Sequence, residues 1–539
     1  MTKLTLSLLT LLLVNIQLLK SQEPDTVWTK VMGGTASDAT GMIMLNNTGT
    51  PCAAVDTTTD GYIYIATSTI SNDKYVRKNY GSEDVWLIKL NREGDTIWTR
   101  NYGGSDFDRP GMMRSLKDGG CVIVGQTLSS DGDFIGMAKE GGEAFIIRIK
   151  ADGSIMWVKL YGGEGYDKLY DIKETPDSAY IACGETNSNT GDLLNTGAGL
   201  NWVIKVNAID GKRIWSSAFV GPFQSSPDFI ENFARLEVLS DGSGYIVAGA
   251  SSPDFIDSSK DEIIYMKINT SGKLIWSKKC GSNGWDGIAT VLDAGGGAFY
   301  IAGKIGASGA DAKQFYGGIG DFWFAKFNSD GVIEWEKNYG GNDGDIAFDL
   351  KKDALGYLYL CGFTKSNTQD LTYSKYKGGI DWWIIKTDEK GDTIWTKRMG
   401  SADNDAAYGM ALLDKYGNSF VVAGKAGVLG DYVNNFFGIQ DLWVVRFDDQ
   451  NVGIDKNVLA DDLNFLIYPN PTSDIININT SKNAINALCS IINLTGSIVF
   501  SKTLNESTNT LNLNNLPQGI YILNIKFADK TINKKIIIQ

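Results

Sequence analysis

An aspartate recurs at the end of a glycine-rich segment in this chain of 539 residues. The segment follows the pattern G-(G or S)-x-x-x-D, and its aspartates are Asp38, Asp108, Asp167, Asp286, Asp345 and Asp405. A carboxylate in a tight turn can accept backbone N–H bonds, so we predict that these aspartates fix the loops that carry them. Calcium binding is the alternative, with Asp131 and Asp133 of the segment SSDGDF as further oxygen ligands. The full D-x-D-x-D-G calcium pattern is absent from the sequence.

The residue just before this aspartate varies in a way that suggests an exposed position. It is Ser37, Phe107, Tyr166, Trp285, Gly344 or Asn404. A core position would stay apolar, so we predict that the aromatic members Phe107, Tyr166 and Trp285 lie on one rim of the fold. Exposed aromatic rings beside carboxylates suit contact with a sugar or a peptide. Incidental packing within the loops is the alternative interpretation.

Histidine is absent, which removes the side chain most often used as a general base or zinc ligand near neutral pH. Serine-histidine triads, cysteine-histidine dyads and histidine-based metal sites are therefore excluded. A pair of carboxylates can still hydrolyse a glycosidic bond without histidine. The sequence assigns no catalytic residue and requires no cofactor.

The charge balance and the first residues indicate an exported, acidic protein. The chain has 63 Asp and Glu against 50 Lys and Arg, and the basic residues are scattered, so nucleic acid is not an expected partner. Residues 1–21 contain Lys3, a mainly apolar run and then polar residues, a pattern typical of a secretory signal peptide. No later run has eighteen apolar residues, so no membrane span is predicted in the mature chain. We predict buried free thiols for Cys183 and Cys361, with disulfides as the alternative.

A unit of close to sixty residues must position these side chains. Its second tryptophan occurs seven times, at intervals of 58 to 61 residues after a longer first one: Trp28, Trp98, Trp157, Trp215, Trp276, Trp335 and Trp395. With the D-x-W position, the unit holds twelve of the fourteen tryptophans, which we interpret as core residues, Trp335 among them. Strands D-x-W-x-x-K and I-W-x-K flank a glycine turn and predict an antiparallel hairpin.

Short strands without helical periodicity predict an all-β fold, a seven-bladed β-propeller over residues 24–449. The chain enters the repeats with a lone I-W-x-K-type strand at Trp28 and leaves them with a lone D-x-W strand at 441–447. Pairing of these two strands would close the ring and remove its edges. The repeat resembles the bacterial SBBP-type propeller repeats, a structural family without a single activity.

After residues 450–464, which read as a linker, the sequence changes to short alternating strands over 465–539, typical of a small antiparallel sandwich. This segment resembles the type A C-terminal sorting domain of the type IX secretion system of Gram-negative bacteria. The matching residues are Tyr468, Pro469, Asn470, Pro471, Gly496, Leu516, Pro517, Gly519, Ile520, Tyr521 and Lys534. The resemblance implies recognition by the type IX secretion machinery and passage through the periplasm to the cell surface or the medium.

The leading hypothesis is therefore a secreted or surface-displayed, non-enzymatic propeller that binds a glycan or protein ligand. The alternative is a carbohydrate-active enzyme that uses paired carboxylates. Two acids about 5 to 10 Å apart in an axial pocket would favour the enzyme, and a shallow, polar rim without such a pair would favour binding.

Overall fold

The computed structural model divides into two units, Met1–Asp449 and Gln450–Gln539. In the part of the chain that it describes, it is all-β apart from three short 3-10 turns. It describes residues 23–39, 53–135, 141–193, 200–219, 231–251, 262–371, 379–427, 433, 435–449, 466–468, 472, 474–479, 487–493, 496–506, 508–527 and 530–538. The predicted signal peptide and the predicted linker lie outside these ranges. Within the described residues, no helix is long and apolar enough to cross a membrane.

Seven four-stranded antiparallel sheets are present in the described part of the first unit. Six of them take their strands consecutively along the chain. In sheet order, these are β2 (Ala54–Thr57), β3 (Ile63–Thr69), β4 (Asp84–Leu90) and β5 (Thr96–Tyr102); β6 (Asp108–Ser115), β7 (Cys121–Thr127), β8 (Glu143–Ile149) and β9 (Ile155–Tyr161); β10 (Asp167–Glu174), β11 (Ala179–Thr186), β12 (Leu200–Asn207) and β13 (Arg213–Phe219); β14 (Glu231–Val238), β15 (Tyr245–Ser251), β16 (Glu262–Ile268) and β17 (Leu274–Cys280); β18 (Gly287–Gly295), β19 (Ala298–Ile305), β20 (Asp321–Phe327) and β21 (Ile333–Tyr339); β22 (Asp345–Lys352), β23 (Leu358–Thr364), β24 (Asp381–Thr387) and β25 (Thr393–Met399).

The seventh sheet joins the two ends of the repeat region. Its order is β1 (Asp25–Met32), β28 (Asp441–Asp448), β27 (Ser419–Ala426) and β26 (Ala406–Leu412). Thr29 pairs with Val445 and Met32 with Leu442, so the first strand lies against the last repeat strand as the sequence predicts. The indole N–H of Trp443 also donates to Thr29 Oγ1 at 2.7 Å. The two chain ends thus complete one sheet.

The first strand of each consecutive sheet, and β26 of the seventh, is innermost. Each innermost strand contacts the innermost strand of the next sheet, and β26 contacts β2. Side chains from one innermost strand satisfy backbone groups on the neighbouring one: Asp56 accepts from Ser115 N at 2.9 Å, and Thr57 Oγ1 donates to Leu412 O at 2.7 Å. These bonds satisfy backbone groups along the inner strand edges.

The tryptophans divide into two environments, which corrects the interpretation that all of them are core. The D-x-W members are fully buried, as Trp86 and Trp323 illustrate. Most members of the second position, Trp335 included, lie half-buried on the outermost strand of their sheet, whereas Trp395 is buried. There the ring of Trp157 packs on the turn glycine Gly211 of the next sheet, and its N–H donates to Ala208 O at 3.2 Å. The second tryptophan of the unit therefore links one sheet to the next.

The described cysteines are free and buried. Cys183 and Cys361 occupy strands β11 and β23, where they pack as small apolar residues, as predicted. Burial raises the pKa of both thiols well above the ordinary value. A raised pKa keeps the thiol protonated and therefore chemically inert.

The second unit is a small sandwich of two sheets. One sheet has the order β29 (Leu466–Tyr468), β30 (Ile475–Asn479) and β33 (Thr508–Asn512). The other has the order β32 (Ile498–Leu504), β31 (Ala487–Ile492), β34 (Gly519–Phe527) and β35 (Lys530–Ile538). Their shared core contains Ile478 and Leu511 from the first sheet with Cys489 and Leu523 from the second.

Candidate ligand-binding face

The loops that enter the innermost strands carry the predicted site residues. Such a loop runs from the outermost strand of one sheet to the innermost strand of the next, for example from β5 through Gly103 and Phe107 to β6. Because strands alternate in direction, the loops between the second and third strands of each sheet lie at the same end. We call this end of the sheets the loop face.

The repeated aspartate holds its loop together, as predicted. Asp108 is fully buried and accepts hydrogen bonds from Gly104 N at 2.7 Å and from the Ser129 hydroxyl at 2.8 Å. It also accepts a hydrogen bond from the Thr127 hydroxyl. The same arrangement recurs at Asp167 with Gly163, Thr186 and Ser188. A T-x-S pair at the end of the second strand therefore supplies both hydroxyls, and the sequence reasoning missed this pair although its repetition was visible.

The loop acids proposed for calcium also accept backbone bonds. Asp131 Oδ1 accepts from Ser105 N at 2.7 Å, and Asp133 Oδ2 accepts from Gly103 N at 3.0 Å. Within the described residues, no group of three or more acidic or cysteine side chains is arranged to hold a metal ion. The hydrogen bonds give Asp131 and Asp133 a structural role in the loop.

The three predicted aromatic residues lie in equivalent loops at this face. Phe107 precedes β6, Tyr166 precedes β10 and Trp285 precedes β18. Phe107 is 39% exposed, Trp285 is 42% exposed and Tyr166 is half-buried. Phe107 and Tyr166 belong to successive sheets, whereas Trp285 is two sheets further along. The rings therefore occupy separate positions around the face rather than one shared pocket.

A basic side chain lies against two of these rings. The guanidinium carbon of Arg109 is 5.0 Å from the ring centre of Phe107, and Lys168 Nζ is 5.1 Å from that of Tyr166. Each cation is also paired with an acid, Arg109 with Glu83 at 2.6 Å and Lys168 with Glu185 at 3.1 Å. Sequence reasoning missed both cations, although each follows its aromatic residue by two positions and so shares its side of the strand.

The acids along the inner strands are engaged in structural bonds. Asp171 accepts from Leu236 N at 3.1 Å and pairs with Arg114 at 3.0 Å. Asp349 accepts from Met410 N at 3.0 Å and pairs with Lys351 at 2.7 Å. These partners hold both carboxylates against the innermost strands.

The predicted sorting residues lie in the second unit, and several have clear structural roles. Gly496 has a φ of 85° in the turn between β31 and β32, a conformation that favours glycine. Tyr521 is buried and its hydroxyl donates to Pro517 O at 2.7 Å, while Leu516 packs on the core. Gly519 and Ile520 begin β34, and Lys534 is exposed on β35. Tyr468 ends β29, and residues 469–471 lie outside the described ranges.

The fold of the first unit defines a β-propeller. Residues 466–539 match the family described as "Secretion system C-terminal sorting domain". The chain therefore ends in a type IX secretion sorting domain, which implies export to the cell surface or the extracellular space. A search among curated proteins found no match to this chain.

Several solved structures resemble the chain at low sequence identity. The WD40 domain of Neurospora crassa Pan2 is 9% identical, with a TM-score of 0.45, over 81% of this chain and 98% of that one. A Dyadobacter fermentans protein of unknown function is 11% identical, with a TM-score of 0.36, over 79% and 99%. PorZ, a surface component of the type IX secretion system of Porphyromonas gingivalis, is 11% identical, with a TM-score of 0.28, over 90% and 70%.

Proposed function

We propose that this protein is a secreted or surface-displayed propeller that binds a glycan or protein ligand without catalysis, through Phe107, Tyr166 and Trp285 on the loop face. The supporting observation is the exposure of Phe107 and Trp285 in equivalent loops, where rings that only filled space would be covered. The buried turn aspartates stiffen the same loops. A fixed aromatic ring loses little entropy when a sugar or peptide stacks on it.

The bonded acids of the turns and of the inner strands favour binding over hydrolysis. An enzyme of this kind needs two acids that are open to the substrate, one of which exchanges a proton with it. The turn aspartates Asp108 and Asp345 are fully buried and accept bonds from their own loops. Asp171 and Asp349 are tied to neighbouring strands and to cations.

The test is a binding screen of the purified secreted protein on glycan and peptide arrays, run beside a polysaccharide degradation panel. Loss of one stacking ring is worth on the order of 1 to 3 kcal/mol, so Trp285→Ala should weaken binding by roughly tenfold or more. Ile319→Ala is the matched control, because Ile319 is an exposed apolar residue on the loop face and lacks a ring. Release of reducing sugar by the wild-type protein would contradict the proposal.

Stability measurements separate a binding role from a packing role. Trp323 is fully buried and gives the reference for a core tryptophan. We expect Trp285→Ala to leave the melting temperature near that of the wild type, whereas Trp323→Ala lowers it strongly. If Trp285→Ala lowers the melting temperature as much as Trp323→Ala and leaves binding unchanged, Trp285 is a packing residue.

A further inference from the structure

Two successive sheets present the same pairing of an aromatic ring with a cation on the loop face. Phe107 and Arg109 flank the first residue of β6, and Tyr166 and Lys168 flank the first residue of β10. Strands β6 and β10 are innermost strands that contact each other. The two ring–cation pairs therefore repeat in register from one sheet to the next, which suits a ligand that is itself a repeating polymer.

A buried acid holds each cation in place. Glu83 is almost fully buried and accepts from Arg109 Nε, and the Arg109 side chain still keeps 42% of its surface exposed. Glu185 is buried in the same way beside Lys168. A guanidinium bonded through Nε can still offer its terminal nitrogens to a second carboxylate in a bidentate geometry.

Trp285 differs in this respect. The residue two positions after it is Gly287, so its strand supplies no cation at the equivalent place. The strand that follows Trp285 therefore does not repeat the cation that Arg109 and Lys168 supply in β6 and β10. The chain as a whole carries a net charge of −13, so general attraction cannot account for binding of an acidic polymer.

We propose that the ligand of the loop face is an anionic glycan that carries carboxylates, such as a polymer of uronic acids. The pyranose faces stack on Phe107 and Tyr166, and the carboxylates of the sugar pair with Arg109 and Lys168. Trp285 contributes a further stacking surface. This inference rests on the function proposed above and names the class of its ligand.

The test compares uronate polymers with their own neutral forms. The purified secreted protein is titrated with polygalacturonate, alginate and hyaluronate, and with the same polymers after reduction of their carboxylates to alcohols. We expect at least one uronate to bind about tenfold or more tightly than its reduced form, an advantage that shrinks as salt is raised. Polyglutamate supplies the same charge without sugar rings and should bind weakly.

Variants then assign the effect to residues. Arg109→Gln and Lys168→Gln should each lower the preference for the uronate over its reduced form, and Arg109→Lys should retain part of it. Trp285→Ala should weaken binding to the reduced form as well as to the uronate, because it removes a stacking surface. Lys212→Gln is the matched control, since Lys212 is exposed in the turn between β12 and β13, at the opposite end of the sheets.

The outcomes separate the inference from the proposed function. Equal binding of uronate and reduced polymer, lost in Phe107→Ala, would overturn the anionic ligand and leave glycan binding in place. Polyglutamate binding as tight as that of the uronates would replace the glycan by an acidic peptide. Failure of every polymer and peptide to bind would overturn both. Thermal unfolding of each variant checks that the loss is not a folding defect.

Discussion

Asp321 and Asp345 approach the same glycine from two strands of different sheets. A Cβ placed on Gly340 would lie 2.7 Å from Asp321 Oδ1 and 2.8 Å from Asp345 Oδ2. Asp321 begins β20 and accepts from Tyr316 N at 2.5 Å, whereas Asp345 begins β22 and accepts from Gly341 N at 2.9 Å. Two carboxylates thus meet at the glycine turn, and both are fully buried.

This arrangement predicts that acid stabilises the protein. Burial, with a smaller contribution from the nearby Asp345 carboxylate, raises the pKa of Asp321 to about 7, and burial raises the pKa of Asp345 to about 6. The folded state therefore holds protons that the unfolded state releases, so the contribution of this pair to stability is fully present below the ordinary carboxyl pKa of 3.8 and is lost as pH rises through about 6 to 7. Each unit of pKa shift corresponds to about 1.4 kcal/mol. Thermal unfolding at pH 5 and pH 8 should show the lower melting temperature at pH 8.

Asp321→Asn tests which group is responsible. The amide oxygen can still accept from Tyr316 N, but the side chain no longer ionises. We expect the variant to lose less stability between pH 5 and pH 8 than the wild type does. The other charged groups around the pair are Asp370, which accepts from Gly340 N, and Arg398, which lowers the pKa of Asp345. An unchanged pH dependence would assign the effect to groups elsewhere.

The packing of Trp157 on Gly211 predicts a coupling between sheets. Gly211 has a φ of 70°, and a Cβ there would lie 2.8 Å from Lys159 Cγ and 3.0 Å from the Trp157 ring. Gly61 has a φ of 86° and nothing within 4 Å of the same position, so Gly61→Ala reports backbone strain alone. We expect Gly211→Ala to lower the free energy of unfolding by about 1 kcal/mol or more beyond the loss in Gly61→Ala. Equal losses would show that the ring contact does not couple the sheets.

Substitution of Trp157 itself separates its two contacts. Trp157→Phe keeps an aromatic ring on Gly211 and removes the bond to Ala208 O, which should cost about 0.5 to 1.5 kcal/mol of unfolding free energy. Trp323→Ala, in the core of another sheet, should cost about 3 to 5 kcal/mol because it leaves a cavity. Chemical denaturation of both variants measures the difference. A cost at Trp157 as large as that at Trp323 would place it in the core after all.

The sequence predicted the outer strands of each sheet better than the inner ones. Strands such as β4 and β5 carry a D-x-W and an I-W-x-K pattern around a glycine, and they pair as the predicted hairpin. The innermost strands have no shared sequence, as β6 (DRPGMMRS) and β22 (DIAFDLKK) illustrate. Their side chains contact those of neighbouring sheets and form hydrogen bonds with the backbone groups there. Charged residues therefore stand where an ordinary strand would show alternating apolar residues.

The same limit applies to the loop face. Phe107, Tyr166 and Trp285 could be found because each precedes a recurring aspartate. Arg109 and Lys168 lie within the innermost strands, whose variable sequence hides any pattern. Their proximity to Glu83 and Glu185 depends on pairing between loops and strands that are distant in sequence, as in the bridge between Glu83 and Phe107. Such contacts can be recognised only once the strand order is known.

The pairing of the first strand with the last repeat strand predicts that the two ends of the repeat region stabilise each other. Strand β1 pairs along β28, and Trp28 Nε1 also donates to Arg92 O at 3.0 Å in the turn between β4 and β5. A chain that begins at Gly33 instead of Glu23 lacks this strand and exposes the backbone edge of β28 to solvent. We expect faster amide exchange in β28 than in β24, whose partner β25 is kept, and a lower melting temperature.

Removal of the sorting domain should change where the protein accumulates. Residues 450–539 form a unit separate from the propeller, so a chain that ends at Asp449 should keep the seven sheets of the first unit. Because it lacks the sorting domain, this chain should accumulate in the periplasm, whereas the full chain reaches the cell surface or the medium. Cell fractionation with a cytoplasmic enzyme as the lysis control measures the distribution. Normal amounts of the shortened chain in the medium without lysis would show that another part of the protein directs its export.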